Sequence, residues 1–302
     1  IRDSSVTGVQ TCALPISPRD EQWGIVCTTA GHQHVPPGTP YPVSEHPEHY
    51  LFYKGSGRTL DEYQLVYITA GRGRFESASC PSQTVEAGTM LLLFPNEWHS
   101  YSPDPGTGWT EWWVGFRGAN IDRLEQQGFL CRRRPLLRIG CSGGIERCYR
   151  EIIGTVEEER VGFQPLISSI VLHILGSVLF KHSNLLYSDN PVVEKINRAK
   201  AIMRTDFGRN RSPEQIAREV GMGYTWFRRV FREYVGMAPA QYQHTMRLNK
   251  ARELLATTAH SISEIAYALG FESVSAFSLF FRLRERLSPS QYRARFRGGK
   301  GQ

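Results

Sequence analysis

Aromatic, acidic and histidine side chains are concentrated between residues 64 and 116, and together they could bind a small polar ring. Aromatic faces pack against the C–H faces of such a ring, while carboxylate and imidazole groups hydrogen-bond its hydroxyls. This combination favours a pocket for a carbohydrate or a polyol. The candidate side chains are Tyr67, Glu97, Trp98, His99, Tyr101, Trp109, Glu111, Trp112 and Trp113.

Other interpretations of these side chains stay open. Aromatic residues contribute heavily to ordinary cores, and a lone histidine is more often a satisfied polar group than a ligand contact. A metal-dependent enzyme would need three or four His, Glu or Asp ligands, yet the one His-x-His pair, His32 and His34, lies in a Pro-rich segment outside the predicted sheet. No Ser-His-Asp or Cys-His arrangement is discernible. We therefore expect no catalytic residue, no metal and no cofactor.

A second set of side chains, between residues 224 and 234, combines basic groups with helical spacing. Its apolar members recur on one face of a helix, and its arginines lie on the other. An arginine guanidinium can donate two hydrogen bonds to one guanine edge in the DNA major groove. The inward residues are Phe227, Val230, Phe231 and Tyr234. We assign Thr225, Arg228 and Arg229 to bases and Arg232 to phosphate, and we predict that the neighbouring Trp226 also belongs to the DNA-binding surface.

The elements that would position these arginines are two short helices joined by a tight turn. Ser212 and Gln215 have the spacing of a capping box, so a helix is predicted to begin at Pro213 and to end before Gly221. A second helix then begins at Tyr224. A helix, a short Gly-containing turn and a helix form a DNA-reading unit.

The same signals recur about fifty residues later along the chain. Ser261 and Glu264 predict a capping box that opens a helix ending before Gly270, and a further helix is predicted over residues 275–286. Between the two units, a helix over residues 240–257 rises about 1.5 Å per residue and could hold the reading helices roughly one DNA turn apart. Seven helices are predicted after residue 191.

The distribution of charge agrees with a DNA-binding C-terminal part. Residues 191–302 hold 20 Lys and Arg against 9 Asp and Glu, whereas residues 1–190 hold 16 against 20. Such asymmetry is expected when a module that contacts phosphates is joined to one that does not. A basic surface can also be merely a solvated face. A ligand-independent architectural DNA-binding protein, with nearly all of its affinity in salt-sensitive phosphate contacts, stays an alternative.

The N-terminal part is predicted to be an antiparallel β-barrel, since short β-branched and aromatic runs alternate with turn signals. A small barrel leaves room for one small ligand. The predicted strands cover residues 49–52, 64–70, 73–77, 84–86, 90–94 and 110–116. Before them, the Pro-, Gly- and His-rich residues 24–47 predict an extended arm. Residues 1–17 match neither a signal peptide nor the adjoining sequence, so we interpret them as a non-native extension outside the fold.

Two helices are predicted after the barrel. The first has an apolar stripe from Ile145 to Val156, and the second, over residues 164–182, is apolar nearly all round. Such surfaces need a partner, so we predict a homodimer interface, with a simple cap on the barrel as the alternative. The most apolar stretch, residues 166–180, is too short to span a membrane. The six cysteines lack regular spacing and fit free thiols in a reducing cytosol.

The C-terminal motifs resemble those of the AraC/XylS family of transcription regulators. The second unit has the pattern I-A-x-x-x-G-F, then S-x-x-x-F-x-x-x-F and P-x-x-Y-R, within residues 262–293, and the first unit is similar over its whole length. Two residues depart from the family pattern: Leu279 replaces a polar residue or arginine, and Arg286 replaces glycine. The resemblance implies that Ser275 and Ser278 are weaker base readers and that Arg282 and Arg284 mainly contact phosphate.

The N-terminal part resembles the cupin-like sensor domain of the same family over about residues 24–120. By resemblance to its arabinose-responsive members, His99, Tyr101, Glu111 and Trp113 fall where sugar contacts occur, and residues 35–41 could close over the mouth. An arginine contact of those sensors falls at Ala70, which argues against the same sugar. The predicted effector residues are Tyr67, His99, Tyr101, Trp109, Glu111 and Trp113.

These inferences predict a cytoplasmic, two-domain regulator that binds double-stranded DNA and a small effector and contacts RNA polymerase if it activates. The predicted organisation is an extension (1–17), a cupin-like sensor with its arm (18–144), a helical dimerisation region (145–182), a linker (183–191) and a double helix-turn-helix domain (192–297). Effector binding is expected to reorder the arm and to change which DNA half-sites two protomers can span.

Overall fold

The computed structural model describes residues 7–11, 14–41, 56–185 and 191–297, so the predicted strand at 49–52 lies outside the described residues. The chain divides into two compact units, Ile1–Leu186 and Tyr187–Gln302. The described strands of the first unit are β1 (Thr7–Thr11), β2 (Val26–Val35), β3 (Arg58–Thr59), β4 (Tyr63–Ser77), β5 (Cys80–Glu86), β6 (Thr89–Leu93), β7 (Trp98–Pro103), β8 (Trp109–Arg117) and β9 (Leu136–Arg138). Its helices are α1 (Pro18–Glu21), α2 (Ala119–Gln126), α3 (Gly143–Glu158) and α4 (Phe163–Leu185).

The strands pair antiparallel in two sheets that share β4. The first sheet has the order β1-β2-β8-β4-β6-β9, and the second contains β3, β7, β4 and β5. The antiparallel sheet domain agrees with the prediction. Pairing among the described residues does not close the sheet, however, because β1 and β9 are its two ends. The barrel prediction is therefore corrected to an open pair of sheets.

One bent strand, β4, replaces the two strands predicted at 64–70 and 73–77. Residues 63–71 pair with β8, and residues 72–77 pair with β5 in the other sheet. The change of sheet occurs at Gly71, which has φ +77°. A Cβ atom there would lie less than 3.0 Å from the carbonyl oxygen of Gly108, so only glycine fits the bend.

The predicted arm over 24–47 is corrected in part, because its residues 26–35 form β2, an interior strand between β1 and β8. Gly31, which suggested a loop, pairs with Trp113, and a Cβ atom at Gly31 would lie less than 3.0 Å from the indole ring. The glycine thus makes room for a bulky cross-strand neighbour. Strand β7 was also not predicted.

Part of the N-terminal segment that we excluded from the fold packs within it. Strand β1 pairs with β2, and Leu14 is buried in the main core. The Leu14 amide donates to the Thr28 carbonyl at 3.0 Å, and the Gln164 amide donates to the Pro15 carbonyl at 3.2 Å. The exclusion was therefore wrong for these residues, whereas a non-native origin of residues 1–17 stays a prediction.

Helices α3 and α4 pack together on one face of the first sheet. The predicted stripe of α3 is buried there, and α4 is fixed by Gln164, whose side chain bonds the Cys27 amide (3.1 Å) and carbonyl (3.0 Å). The apolar stretch 166–180 was predicted to be too short to span a membrane. Helix α4, which contains it, has 23 residues and is long and apolar enough to cross one. Ile167, Val171, Ile174 and Val178 are nevertheless buried in the protein core, as in an ordinary core helix.

The second unit is helical, as predicted, and holds two helix-turn-helix units joined by a long helix. Its seven helices within residues 191–297 are α5 (Pro191–Thr205), α6 (Pro213–Glu219), α7 (Tyr224–Val235), α8 (Pro239–Thr257), α9 (Ile262–Ala268), α10 (Val274–Glu285) and α11 (Pro289–Arg297). Both predicted capping boxes are formed, by Ser212 with Gln215 and by Ser261 with Glu264. Each helix-turn-helix unit has its own core. The core of the first is centred on Phe227 and Phe231, and the core of the second on Phe277 and Phe281.

Candidate functional sites

Alternation along β8 separates its aromatic residues between two faces of the sheet. Trp109 and Trp113 belong to the smaller core, between the two sheets, whereas Trp112 belongs to the core that faces α3 and α4. Glu111 lies on the same side of β8 as Trp109 and Trp113 and is only 2% exposed. The space between the sheets therefore receives a carboxyl group among indole rings.

Arg58 connects the polar side chains at one end of this space. Its Nη2 donates to the Tyr101 hydroxyl at 2.7 Å, and its Nε lies 3.4 Å from His99 Nε2. His99 Nδ1 lies 3.1 Å from the Glu97 carbonyl, which can only accept, so this nitrogen carries the proton and Nε2 accepts. Burial, with Arg58 nearby, lowers the pKa of His99 to about 4, which keeps the ring neutral.

Glu111 is the acidic group of this site and is bonded by the described end of the arm. The Tyr41 hydroxyl donates to Glu111 Oε1 at 3.2 Å, and the Tyr41 ring lies 5.8 Å from the Trp109 ring. Burial raises the pKa of Glu111 to about 7, although the Tyr41 hydrogen bond and the charge of Arg58 act in the opposite direction. Burial also raises the pKa of Tyr101 to about 12. The site is thus rich in neutral hydrogen-bonding groups around one cation.

Two buried polar atoms in the same space have no hydrogen-bond partner within the part of the chain that the structure describes. One is Nε1 of Trp109, which is 1% exposed, and the other is Oε1 of Gln33, which is 8% exposed. Gln33 pairs with Glu111 across β2 and β8, so their side chains lie on the same face of the sheet. Buried polar groups are normally satisfied, so an unpaired donor and an unpaired acceptor in one space are candidates to bond a ligand or a buried water. We call the set the interior cluster: Gln33, Tyr41, Arg58, His99, Tyr101, Trp109 and Glu111.

The structure brings together most, but not all, of the predicted effector residues. His99, Tyr101, Trp109, Glu111 and Trp113 border the space between the sheets, as does the arm residue Tyr41. Tyr67 does not, because it faces α3, where its hydroxyl donates to the Gly140 carbonyl at 2.8 Å. Its assignment to the effector site is therefore corrected to a core role.

Three further candidate residues lie away from the interior cluster. Trp98 is on the outside, where its Nε1 donates to the Ser56 carbonyl at 2.8 Å, and Glu97 pairs with Arg132 at 3.1 Å. Trp112 lies on the α3 side, where its ring is 4.0 Å from that of His32. His32 and His34 thus lie within the sheet, contrary to our prediction, but on the face of β2 opposite to Gln33. Among the described residues, no three His, Cys, Asp or Glu side chains form a metal site.

Sequence reasoning missed Arg58 and Gln33. Arg58 belongs to a two-residue strand, and it reaches the cluster only because it pairs with His99 on β7. Gln33 lies in a segment whose glycine and histidines suggested a loop. The alternation of β2 opposite β8 was the one available signal for Gln33, and it requires the pairing register to be known.

In the second unit, α7 presents the predicted reading residues to solvent. Phe227 and Phe231 are fully buried, so the opposite face of the helix points outward. The exposed residues of that face are Thr225, Trp226, Arg228, Arg229 and Arg232. This is the arrangement that a helix needs in order to enter a major groove.

The second reading helix, α10, exposes fewer polar groups. Ser275, Arg282 and Arg284 are exposed, whereas Ser278 is half-buried. Arg284 folds over the Phe280 ring, 4.0 Å from its centre, and its Nη2 lies 3.3 Å from His244 Nδ1. The outward face is instead occupied by Leu279 and Leu283, which are 61% and 72% exposed.

The two helix-turn-helix units are joined by buried contacts as well as by α8. Arg247 of α8 is 9% exposed, and its Nη2 donates to Asn210 Oδ1 at 2.6 Å. Its guanidinium also lies over the Phe271 ring. Phe207, which precedes α6 of the first helix-turn-helix unit, packs against the core of the second helix-turn-helix unit. These contacts fix the relative orientation of α7 and α10.

Comparison with known proteins gives two matching domain descriptions. Residues 49–175 match the AraC-like ligand binding domain, and residues 216–295 match a helix-turn-helix domain. The Msm operon regulatory protein of Streptococcus mutans is 24% identical over 77% of this chain and 84% of that protein. The raffinose operon transcriptional regulatory protein RafR of Pediococcus pentosaceus is 24% identical over 80% and 87%. The transcriptional activator RhaS of Salmonella newport is 29% identical over 77% and 85%.

Proposed function

Because this chain belongs to the AraC family of DNA-binding transcription regulators with an N-terminal ligand-binding domain, we propose that its effector is a carbohydrate or polyol that binds in the interior cluster. The observation that carries the proposal is the pair of buried, unpaired atoms, Trp109 Nε1 and Gln33 Oε1. One donates and the other accepts. A sugar hydroxyl can do both, and the flanking rings suit its C–H faces.

The similar proteins support the same effector class. RafR is named for the raffinose operon, and raffinose is a trisaccharide. RhaS is named as an activator, so we propose that this chain also activates transcription, through contact with RNA polymerase, in the cytoplasm. A reporter gene that falls rather than rises with the cognate effector would contradict activation.

The effector proposal predicts a thermal shift. We expect one member of a panel of pentoses, hexoses, uronic acids, polyols and short oligosaccharides to raise the unfolding temperature of the full chain, because a ligand that binds only the folded state stabilises it. Trp109→Phe, which keeps a ring but removes the donor, should weaken binding of that sugar about 3- to 10-fold, the value of one hydrogen bond.

Trp98→Phe is the matched control for this measurement, since Trp98 lies outside and uses its Nε1 within the protein. It should bind the sugar as the parent chain does. No shift across the panel, or equal affinity of Trp109→Phe and the parent, would contradict a sugar at the interior cluster.

We also propose how the effector controls DNA binding. Tyr41 connects the arm to Glu111, so a ligand among these groups would change the position of the arm and, through it, the arrangement of the reading units. Equal DNA affinity of the liganded and unliganded chain would rule this out. A second copy packing on the outer groove of α4, lined by Leu172, Gly176 and Phe180, stays a prediction that sedimentation of the full chain tests.

For DNA, we propose that Arg228, Arg229 and Thr225 contact bases and that Arg232 and Arg282 contact phosphates. Arg229→Ala should cost about 1–3 kcal/mol on the preferred sequence and relax the preference at one base pair. Arg282→Ala should instead weaken binding to all sequences alike and reduce its salt dependence. Titrations of each variant on specific and random duplexes distinguish the two roles, and equal losses on both DNAs would contradict the assignment of Arg229.

A further inference from the structure

The two helix-turn-helix units correspond residue by residue through their reading helices. Helices α7 and α10 both have 12 residues, and they begin at Tyr224 and Val274, fifty positions apart. The buried pair Phe227 and Phe231 is matched by Phe277 and Phe281. The next helices begin at Pro239 and Pro289, again fifty apart. An offset of fifty therefore relates positions with the same orientation in their units.

This correspondence places leucine where the first helix-turn-helix unit has a charged residue that we assign to DNA reading. Leu279 corresponds to Arg229, and Leu283, one turn further, corresponds to Glu233. Both leucines are mostly exposed, at 61% and 72%, while the core side of the same helix is fully buried. An adjacent pair of leucines at the position of a DNA reader is an apolar surface that lacks a protein partner on the described part of the second unit.

The surroundings of the two leucines favour DNA as the occupant. Ser275 and Arg282 share their face of α10, Arg286 follows as the C-terminal cap of the helix, and all three are exposed. The acidic residue of this helix, Glu285, is turned away and bonds Arg252 at 2.5 Å. An apolar centre with cations around it matches a major groove, where phosphates form the rim and the thymine C5-methyl group is the one apolar atom on the base edges.

We propose that α10 reads thymine, with Leu279 and Leu283 packed against C5-methyl groups in the second major-groove segment. The inference rests on the proposed DNA contacts of the reading helices and names the base that the second one prefers. The first helix-turn-helix unit then selects guanine through arginine, and the second helix-turn-helix unit selects thymine through apolar contact. Each protomer would read a composite site with the two chemistries one helical turn apart.

The test uses the full chain and a duplex selected by it from random DNA. Each thymine of the second segment is replaced in turn by deoxyuridine, which differs from thymine only by the methyl group. At one or two positions, deoxyuridine should weaken binding about 3- to 10-fold, as expected for the loss of one buried methyl contact. This experiment needs no protein variant, so the misfolding of a variant cannot affect its result.

A second experiment changes the protein and combines Leu279→Ala with Leu283→Ala. Both side chains are exposed, so their truncation leaves no cavity in the core. The variant should bind the thymine duplex as weakly as the parent binds the deoxyuridine duplex, and deoxyuridine should then cost it nothing more. Leu279→Arg, which restores the residue of the first unit, should move the preference at that position from thymine to guanine.

Several outcomes would overturn the inference. Deoxyuridine without effect anywhere in the second segment would do so, as would a deoxyuridine effect that persists in the double variant. Normal DNA binding by the variant together with lost transcription activation would instead identify the leucines as a protein-docking surface.

Two further variants are controls. Arg229→Ala should keep the deoxyuridine effect, and Val161→Ala, at an exposed position within Ile1–Leu186, should change nothing. Failure to select any sequence would contradict the proposed DNA reading itself.

Discussion

Replacing Gly270 with alanine should destabilise the second unit by about 2–5 kcal/mol. Gly270 has φ +75°, in the left-handed region, where an alanine costs about 1–2 kcal/mol. A Cβ atom there would also lie less than 3.0 Å from the carbonyl oxygen of Phe207, and a backbone atom cannot yield as a side chain can. Relieving that overlap typically costs a further 1–3 kcal/mol or so. It would also disturb the packing between the two helix-turn-helix units, because Phe207 packs against the core that contains Phe277 and Phe281.

The repeat supplies a matched control, since Gly221 ends α6 as Gly270 ends α9. Gly221 has a similar φ of +68°, but the nearest atom to its added Cβ is Lys195 Nζ at 3.6 Å, the end of a flexible side chain. Gly221→Ala should therefore cost only about 1–2 kcal/mol. Hydrogen exchange of the full chain, read on peptides from residues 191–297, measures both changes. Equal protection in the two variants would show that the contact with Phe207 is not a constraint.

Changing Glu111 to glutamine should stabilise the first unit at pH 8 by up to about 3 kcal/mol while leaving its stability at pH 4.5 nearly unchanged. Burial raises the pKa of Glu111 to about 7 from an ordinary value of 4.5. Each unit of pKa shift corresponds to about 1.4 kcal/mol. Glutamine imitates the protonated acid, and its carbonyl can still accept from Tyr41.

Proton linkage sets the sign of this effect. Between pH 4.5 and about 7, the folded chain holds a proton on Glu111 that the unfolded chain has lost, so stability falls as pH rises through this window. His99 acts oppositely, because its pKa is lowered to about 4, and its contribution makes stability rise with pH up to its ordinary value of 6.5. The two effects partly cancel in the parent chain, so only the difference between parent and variant isolates Glu111.

Tryptophan fluorescence during urea unfolding suits this measurement, because all tryptophans except Trp226 lie in the first unit. The difference in unfolding free energy should grow from near zero at pH 4.5 to its full value at pH 8. Glu86→Gln, at an exposed position on β5, controls for the loss of net charge. A difference that is constant with pH would contradict a buried, protonated Glu111.

The capped helices and their buried faces were predictable from the sequence because their signals are local. A capping box spans four residues, and a helix face is defined by neighbours three and four positions apart, so Ser212, Ser261 and the paired phenylalanines specify both reading units without distant contacts. The arginines of α7 are exposed for the same reason. The family resemblance also rests on these local patterns, with Leu279 and Arg286 visible as departures.

Only the tertiary structure decided which polar side chains meet between the two sheets. Tyr67 and Trp112 have the same residue types as Tyr101 and Trp109, but strand register places them on opposite faces. Arg58 and Gln33 join the cluster through pairing with His99 and Glu111, which lie 41 and 78 positions away along the chain. Whether the sheet closes depends on the same long-range pairs. Register is a property of two strands together, so no window of one strand contains it, whereas a helix carries its pattern within itself.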